Sequence, residues 1–303
     1  MVPVDHEAER ENRREHSDQC PSHARNRSPR SPPADASAPH ISEQVYQHSS
    51  RAAAAPIRLA RHMGDRRLIL WDIDGTLVRW GPVGRGVFDR AVSDVLSVDP
   101  DGHGVSMGGK TDPQIALEIM RTLDVPDDEA TRALPKVLSA LERATSAAFE
   151  EFRATGSAHP GVADVLARLH QTPGVRQTVL TGNIAPNMRV KLAVFGLDSW
   201  MDLEIAATGS DSADRRALVP VALARAQEVR GIRYAPDEVW VVGDTPRDLE
   251  CARVASVRCA LVATGQNPYG ALAGLGADAV FTDLSDVEAV VRVLSPVAAG
   301  GSG

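Results

Sequence analysis

From residue 67 onward, short apolar runs alternate with segments of helical period. Runs at 67–71, 177–181, 238–242, 258–263 and 279–281 read as strands. Each is almost continuously apolar, the pattern expected when a parallel sheet is covered on both faces. Between them, Val162, Val165, Leu166 and Leu169 fall at i, i+3, i+4 and i+7 of one helix. Further helices are predicted over 187–195, 215–230, 246–255 and 284–294. The alternation predicts a doubly wound, Rossmann-like α/β domain built on a parallel sheet. Ligands in such sheets bind beyond the carboxyl ends of the strands.

One interval breaks the alternation. Residues 84–156 carry helical patterns at 86–97, 112–122 and 129–153 and no convincing strand. Gly81, Pro82 and Gly84 flank one end, and Gly156, His159, Pro160 and Gly161 the other. This segment is expected to be a helical cap inserted after the first strand and hinged over the strand ends. The expected organisation is then a tail over 1–62, a core over 63–83 and 157–295, the cap over 84–156 and a flexible end over 296–303. The tail is rich in Arg, Ser, Pro, His and Ala without a sustained apolar period, so it is expected to be disordered. With Met63-Gly64 standing just before the first strand, the expectation is that Met63 is the true start or that the tail is dispensable.

The polar residues that end these strands carry the candidate chemistry. In Leu-Ile-Leu-Trp-Asp72-Ile-Asp74-Gly75-Thr76-Leu an apolar run closes on two carboxylates two residues apart. Like charges there repel and lose solvation, and a bound divalent cation would offset that cost. The spacing suggests one carboxylate as nucleophile and metal ligand and the other as acid/base. Thr181-Gly182-Asn183 ends the second strand, where a hydroxyl, a glycine amide and a carboxamide can cradle phosphoryl oxygens at a helix start. Asp244, in Gly243-Asp244-Thr-Pro246-Arg-Asp248, is expected at the same end of the sheet as Asp72. Pro246 suits a first helical turn, and Asp248 is either a carboxylate favoured by the helix dipole or a partner of a bound metal ion.

Composition narrows the partners. The formal charge is −7, and residues 1–60 balance eight acidic residues with eight Arg, so the excess lies downstream. That balance argues against nucleic acid as the main partner. No apolar run nears the ~20 residues of a membrane helix, and no apolar leader core is visible. Cys20, Cys251 and Cys259 form neither a metal-type spacing nor an even disulfide set, which points to the cytoplasm. Only three of the 33 basic residues are lysine, Lys110, Lys136 and Lys191.

Taken together, the three polar strand ends resemble the motifs of the haloacid dehalogenase-like hydrolase superfamily, over about 67–294. Asp72-Ile-Asp74-Gly-Thr-Leu is similar to its first motif, Thr181-Gly-Asn183 to its second and Gly243-Asp244-Thr-Pro-Arg-Asp248 to its fourth. The insertion resembles that family's helical cap of the first type, as in its phosphoglycolate phosphatase-like branch. The resemblance implies an Mg²⁺-dependent phosphomonoesterase acting on a small phosphorylated metabolite. Asp72 would be the nucleophile, Asp74 the general acid/base, and Asp72, Asp74 (through its carbonyl), Asp244 and Asp248 the metal set. Thr181, Gly182 and Asn183 would hold the phosphate. Asp74 favours an alkoxide leaving group over a halide, which needs no proton. The family's third-motif lysine has no direct match. Arg215, near its usual spacing, and Lys191, ten residues after Thr181, are equal candidates for that cation. In the cap, Gly108-Gly109-Lys110-Thr111-Asp112 offers Lys110 to an anionic substrate group; alternatively Thr111 or Asp112 only caps the helix that follows. A phosphomutase and a catalytically silent binding protein are the alternative functions, and the oligomeric state is left open.

Overall fold

The computed structural model describes residues 66–100 and 102–296. The expected N-terminal tail, Met63 and all but Pro296 of the expected C-terminal segment lie outside the described residues. In chain order the strands are β1 (Arg67–Trp71), β2 (Val78–Arg79), β3 (Ser157–Ala158), β4 (Val175–Val179), β5 (Val239–Gly243), β6 (Arg258–Val262) and β7 (Ala279–Phe281). The α-helices are α1 (Val83–Leu96), α2 (Asp112–Thr122), α3 (Asp127–Ala147), α4 (Phe149–Thr155), α5 (Val162–His170), α6 (Ala185–Val194), α7 (Leu218–Arg230), α8 (Pro246–Val254), α9 (Tyr269–Ala273) and α10 (Val287–Leu294).

Five strands form one parallel sheet in the order β4-β1-β5-β6-β7. Side chains alternate across it. Ile69, Trp71, Trp240 and Val242 pack on one face with Val162 and Leu166 of α5 and Val290 of α10. Leu68, Leu70, Val241 and Leu261 pack on the other with Leu218 and Ala222 of α7 and Leu249 of α8. Burial on both faces is why these strands read as unbroken apolar runs.

The departures from the expected elements have local causes. The strand expected over 177–181 ends at Val179. Leu180 still donates its N–H to the Trp71 carbonyl of β1 at 2.9 Å but also forms an isolated bridge to Ala207, and the Thr181 N–H bonds the Ala207 carbonyl at 3.0 Å. The helix expected over 129–153 is two helices, α3 and α4, divided at Ala148. The helix expected from 215 begins with a 3₁₀ turn, Arg215–Ala217, before α7. β2, β3 and α9 were not expected.

The described residues of 83–155 supply α1 to α4 and no strand. They leave and rejoin the core through β2 and β3, which pair antiparallel and set Arg79 opposite Ser157. Their apolar faces, including Phe88, Ile115, Leu141 and Phe152, belong to the same buried cluster as the α5 side of the sheet. No described helix is long and apolar enough to cross a membrane.

Candidate active site

The first site residues follow β1 directly. Beyond Trp71 the chain closes a tight turn in which the N–H groups of Leu77 and Val78 bond the Ile73 carbonyl at 2.9 and 3.0 Å. Gly75 is needed here twice. Its φ is +87°, and a Cβ would lie 2.6 Å from Oδ2 of Asp244. The turn holds Asp72, buried, at the sheet's carboxyl end and lets the Asp74 side chain, 39% exposed, reach a cavity of about 920 Å³.

Asp244 follows β5 and is buried against the same turn, accepting from the Thr76 hydroxyl at 3.0 Å. Asp248 sits in the first turn of α8, where its Oδ2 accepts from the Thr245 N–H at 3.0 Å and the Thr245 hydroxyl at 2.6 Å. It is thus a helix N-terminal carboxylate and, at the same time, a member of an acidic group. Carboxylate oxygens of Asp72, Asp244 and Asp248 all lie within 4.8 Å of one another. Three buried oxygen donors of this kind suit a hard divalent cation. Space beside them is kept clear as well, since a Cβ on Gly265 would lie 1.7 Å from Oδ2 of Asp244. Burial pushes the Asp72 and Asp244 carboxyls well above the usual range; repulsion from Asp248 adds to both, from Asp74 to Asp72 and from Asp72 to Asp244. Arg215 opposes that rise.

Both candidates for the missing cation reach the site, on different carboxylates. Arg215, buried in the turn before α7, contacts Oδ1 of Asp248 at 2.5 Å and Oδ1 of Asp72 at 3.1 Å. Lys191, projecting from α6, contacts Oδ1 of Asp74 at 2.6 Å. Asp74 also accepts from the Asn183 amide at 2.6 Å and the Trp80 indole N–H at 2.5 Å. Desolvation alone would raise the Asp74 carboxyl, but Lys191, Asn183 and Trp80 override it and hold it below the usual range.

The Thr181-Gly182-Asn183 loop stands beside Asp74. The Asn183 amide also bonds the Thr181 hydroxyl at 2.8 Å. Gly182 has no room for a side chain, because a Cβ would lie 2.0 Å from the Lys110 carbonyl oxygen. Lys110 lines the cavity, with its ammonium paired to Glu118 on α2. Thr111 caps α2, accepting from the Gln114 N–H at 3.3 Å. Asp112 does not cap that helix; its carboxylate faces the core and accepts from the Ile184 N–H at 2.8 Å. Burial pushes the Asp112 carboxyl up to about 6, against the opposing pull of Lys191.

Sequence reasoning missed Trp80 and Thr76. Trp80 stands six residues after Asp74, immediately before Gly81-Pro82, and an aromatic there was the available signal. It also packs edge-on against Phe152 of α4 and stacks on Phe195 behind α6.

A doubly wound sheet with an acidic cluster at its carboxyl edge and a helical insert after β1 is the architecture of one hydrolase class. The haloacid dehalogenase-like hydrolase family model matches residues 69–253, and the chain belongs to that family. Among its relatives, a plasmid-encoded phosphoglycolate phosphatase of Cupriavidus necator is 28% identical over 75% of this chain and 93% of its own length. Phosphoglycolate phosphatase 1 of Pseudomonas aeruginosa is 25% identical over 73% and 78%. The structure of CbbY from Rhodobacter sphaeroides in complex with phosphate shares the fold, with a TM-score of 0.55, 22% identity and coverage of 73% of this chain and 96% of that one.

Proposed function

We propose that the protein is an Mg²⁺-dependent phosphomonoesterase that hydrolyses a small phosphorylated metabolite through an aspartyl-phosphate on Asp72. One observation carries this reading: the two carboxylates of a single turn occupy opposite environments. Asp72 belongs to the buried acidic cluster, whereas Asp74 stands outside it, ringed by donors and open to the cavity. Environments that push two carboxyls apart assign them different roles. The phosphatase names of the relatives above agree with it.

In the first step an Asp72 oxygen bonds phosphorus in line as the ester P–O bond breaks, and Asp74 gives its proton to the leaving oxygen. In the second, Asp74 takes a proton from water as that water attacks phosphorus, freeing Asp72 and inorganic phosphate. Thr181, Asn183, Lys191 and Arg215 are placed to hold the phosphoryl oxygens, where charge resides in the transition state. Lys191 and Asn183 are also the donors that keep Asp74 ionised. A phosphate that draws them away lets Asp74 take up the proton it must later deliver. Asp72, Asp244 and Asp248, with the Asp74 carbonyl, would hold Mg²⁺, which supplies charge to offset the carboxylates and polarise the phosphoryl group.

The insert would act as a cap over this chemistry, leaving through β2 and returning through β3. Arg79, Arg85 and Arg247 line the same cavity, which favours an anionic substrate in an otherwise acidic chain. Cys251 and Cys259 are buried and free, in keeping with a cytoplasmic protein. The test is phosphate release from a panel of phosphorylated metabolites with Mg²⁺. Steady release without a bisphosphate primer is expected; transfer to a sugar hydroxyl that requires such a primer would make the protein a phosphomutase.

A further inference from the structure

Segment 108–112 of the insert makes an unusually specific connection to the core. Asp112 is 4% exposed and is the first residue of α2, which Thr111 already caps. Its Oδ2 accepts from the Ile184 N–H at 2.8 Å and from the Asn187 amide at 3.2 Å. Its own N–H donates to the Gly182 carbonyl at 2.7 Å. The two backbone partners, Gly182 and Ile184, stand on either side of Asn183. Ile184 is the N-cap of α6 and makes no side-chain cap bond of its own. A carboxylate from a distant part of the chain takes the N–H of that N-cap residue, at the helix end where negative charge is favoured.

The opposite side of the loop is fixed too. The Gly209 N–H bonds the Asn183 carbonyl at 2.8 Å, and a Cβ on Gly209 would lie 2.1 Å from the Gly182 carbonyl oxygen. Asn183 is therefore held between Gly209 and Asp112. Its amide reaches Asp74 at 2.6 Å and the Thr181 hydroxyl at 2.8 Å.

We propose that Asp112 is a positioning residue for phosphoryl chemistry: by bracketing Asn183 from the insert, it completes the phosphate cradle of the core only while the insert is seated. This rests on the phosphomonoesterase reading above. The insert is then part of the reaction centre as well as its cover, since lifting it would release the loop that aims Asn183. A residue that served only as a strut between insert and core would not be bonded to both neighbours of an active-site residue, to Gly182 through its backbone N–H and to Ile184 through its carboxylate.

The test compares Asp112→Ala and Asp112→Asn with the wild type. Thr111→Val is the control, because it removes another insert-to-core bond, from the Thr111 hydroxyl to the Ala213 carbonyl at 2.8 Å, without touching Asn183. Inorganic phosphate binding is measured by calorimetry, and turnover is measured on one aryl and one alkyl monophosphate. Asp112→Ala is expected to weaken phosphate binding about tenfold and to lower kcat about 10- to 100-fold, as misplacement of a reacting group by about 1 Å does. The alkyl ester should suffer more, because it depends on Asp74 as acid. Asp112→Asn keeps an acceptor for the Ile184 N–H and should lose less, while Thr111→Val should leave phosphate affinity within about twofold. A lower melting temperature in Asp112→Ala with unchanged phosphate binding would overturn the proposal, as would an effect confined to KM for one ester. Should the alanine variant not fold, Asp112→Asn decides: wild-type affinity and a wild-type aryl-to-alkyl ratio would overturn it. Phosphate binding is read without turnover, so a wild type that binds phosphate but never releases it from esters defeats the phosphomonoesterase reading separately.

Discussion

At Asp74, three donors from three parts of the chain meet one carboxylate. Trp80 comes from just after β2 at the entry to the insert, Asn183 from the loop after β4 and Lys191 from α6. Trp80→Phe keeps a ring against Phe152 and Phe195 and removes only the N–H. A hydrogen bond to a charged group is worth about 1.5–3 kcal/mol, so kcat on an alkyl phosphate should fall about 10- to 100-fold. The melting temperature should stay close to that of the wild type. Equal losses on alkyl and aryl esters in steady-state assays would show that the indole N–H does not serve Asp74. Asp72 and Asp74 were legible as a pair because a strand that ends in two carboxylates is a visible anomaly. Trp80 was not, because a single aromatic beside a glycine-proline turn looks the same whether it packs or donates.

Among the elements, α6 and the turn before α7 set the two candidate cations on different carboxylates. Arg215 is buried between Asp72 and Asp248, whereas Lys191 holds the partly open Asp74. Removing one partner of a buried ionic group costs about 3–5 kcal/mol, so Arg215→Met should sharply lower the urea midpoint of the metal-free protein. Lys191→Met should leave that midpoint nearly in place and mainly reduce turnover. If both variants unfold at the wild-type midpoint, Arg215 does not balance the acidic cluster. Spacing offered two cations and no means to choose, since only the fold shows that they face different carboxylates. The five core strands were legible because burial on both faces leaves a plain apolar signature. β2 and β3 were not, because two residues cannot display a period. The end of β4 was misplaced because Leu180 stays apolar beyond the last β1–β4 pair, where the chain turns to Ala207.

Across the whole molecule, the acidic cluster ties stability to pH and to metal. Asp72 and Asp244 have carboxyls raised above their unfolded values, so the folded state binds protons more tightly than the unfolded chain. That contribution is present at low pH and is lost as pH rises from the usual carboxylate range through the raised values. In EDTA, the melting temperature should fall between about pH 5.5 and 8, and Mg²⁺ should restore several degrees, most at the alkaline end. A restoration equally large at both ends would mean that the cluster does not hold the ion. The central claim, that Asp72 is the nucleophile of a phosphomonoesterase, is tested most directly by phosphate release from a metabolite that the wild type turns over with Mg²⁺, set against Asp72→Asn. A loss of about a thousandfold or more with an unchanged circular dichroism spectrum is the predicted result. Release by Asp72→Asn at the wild-type rate would contradict it.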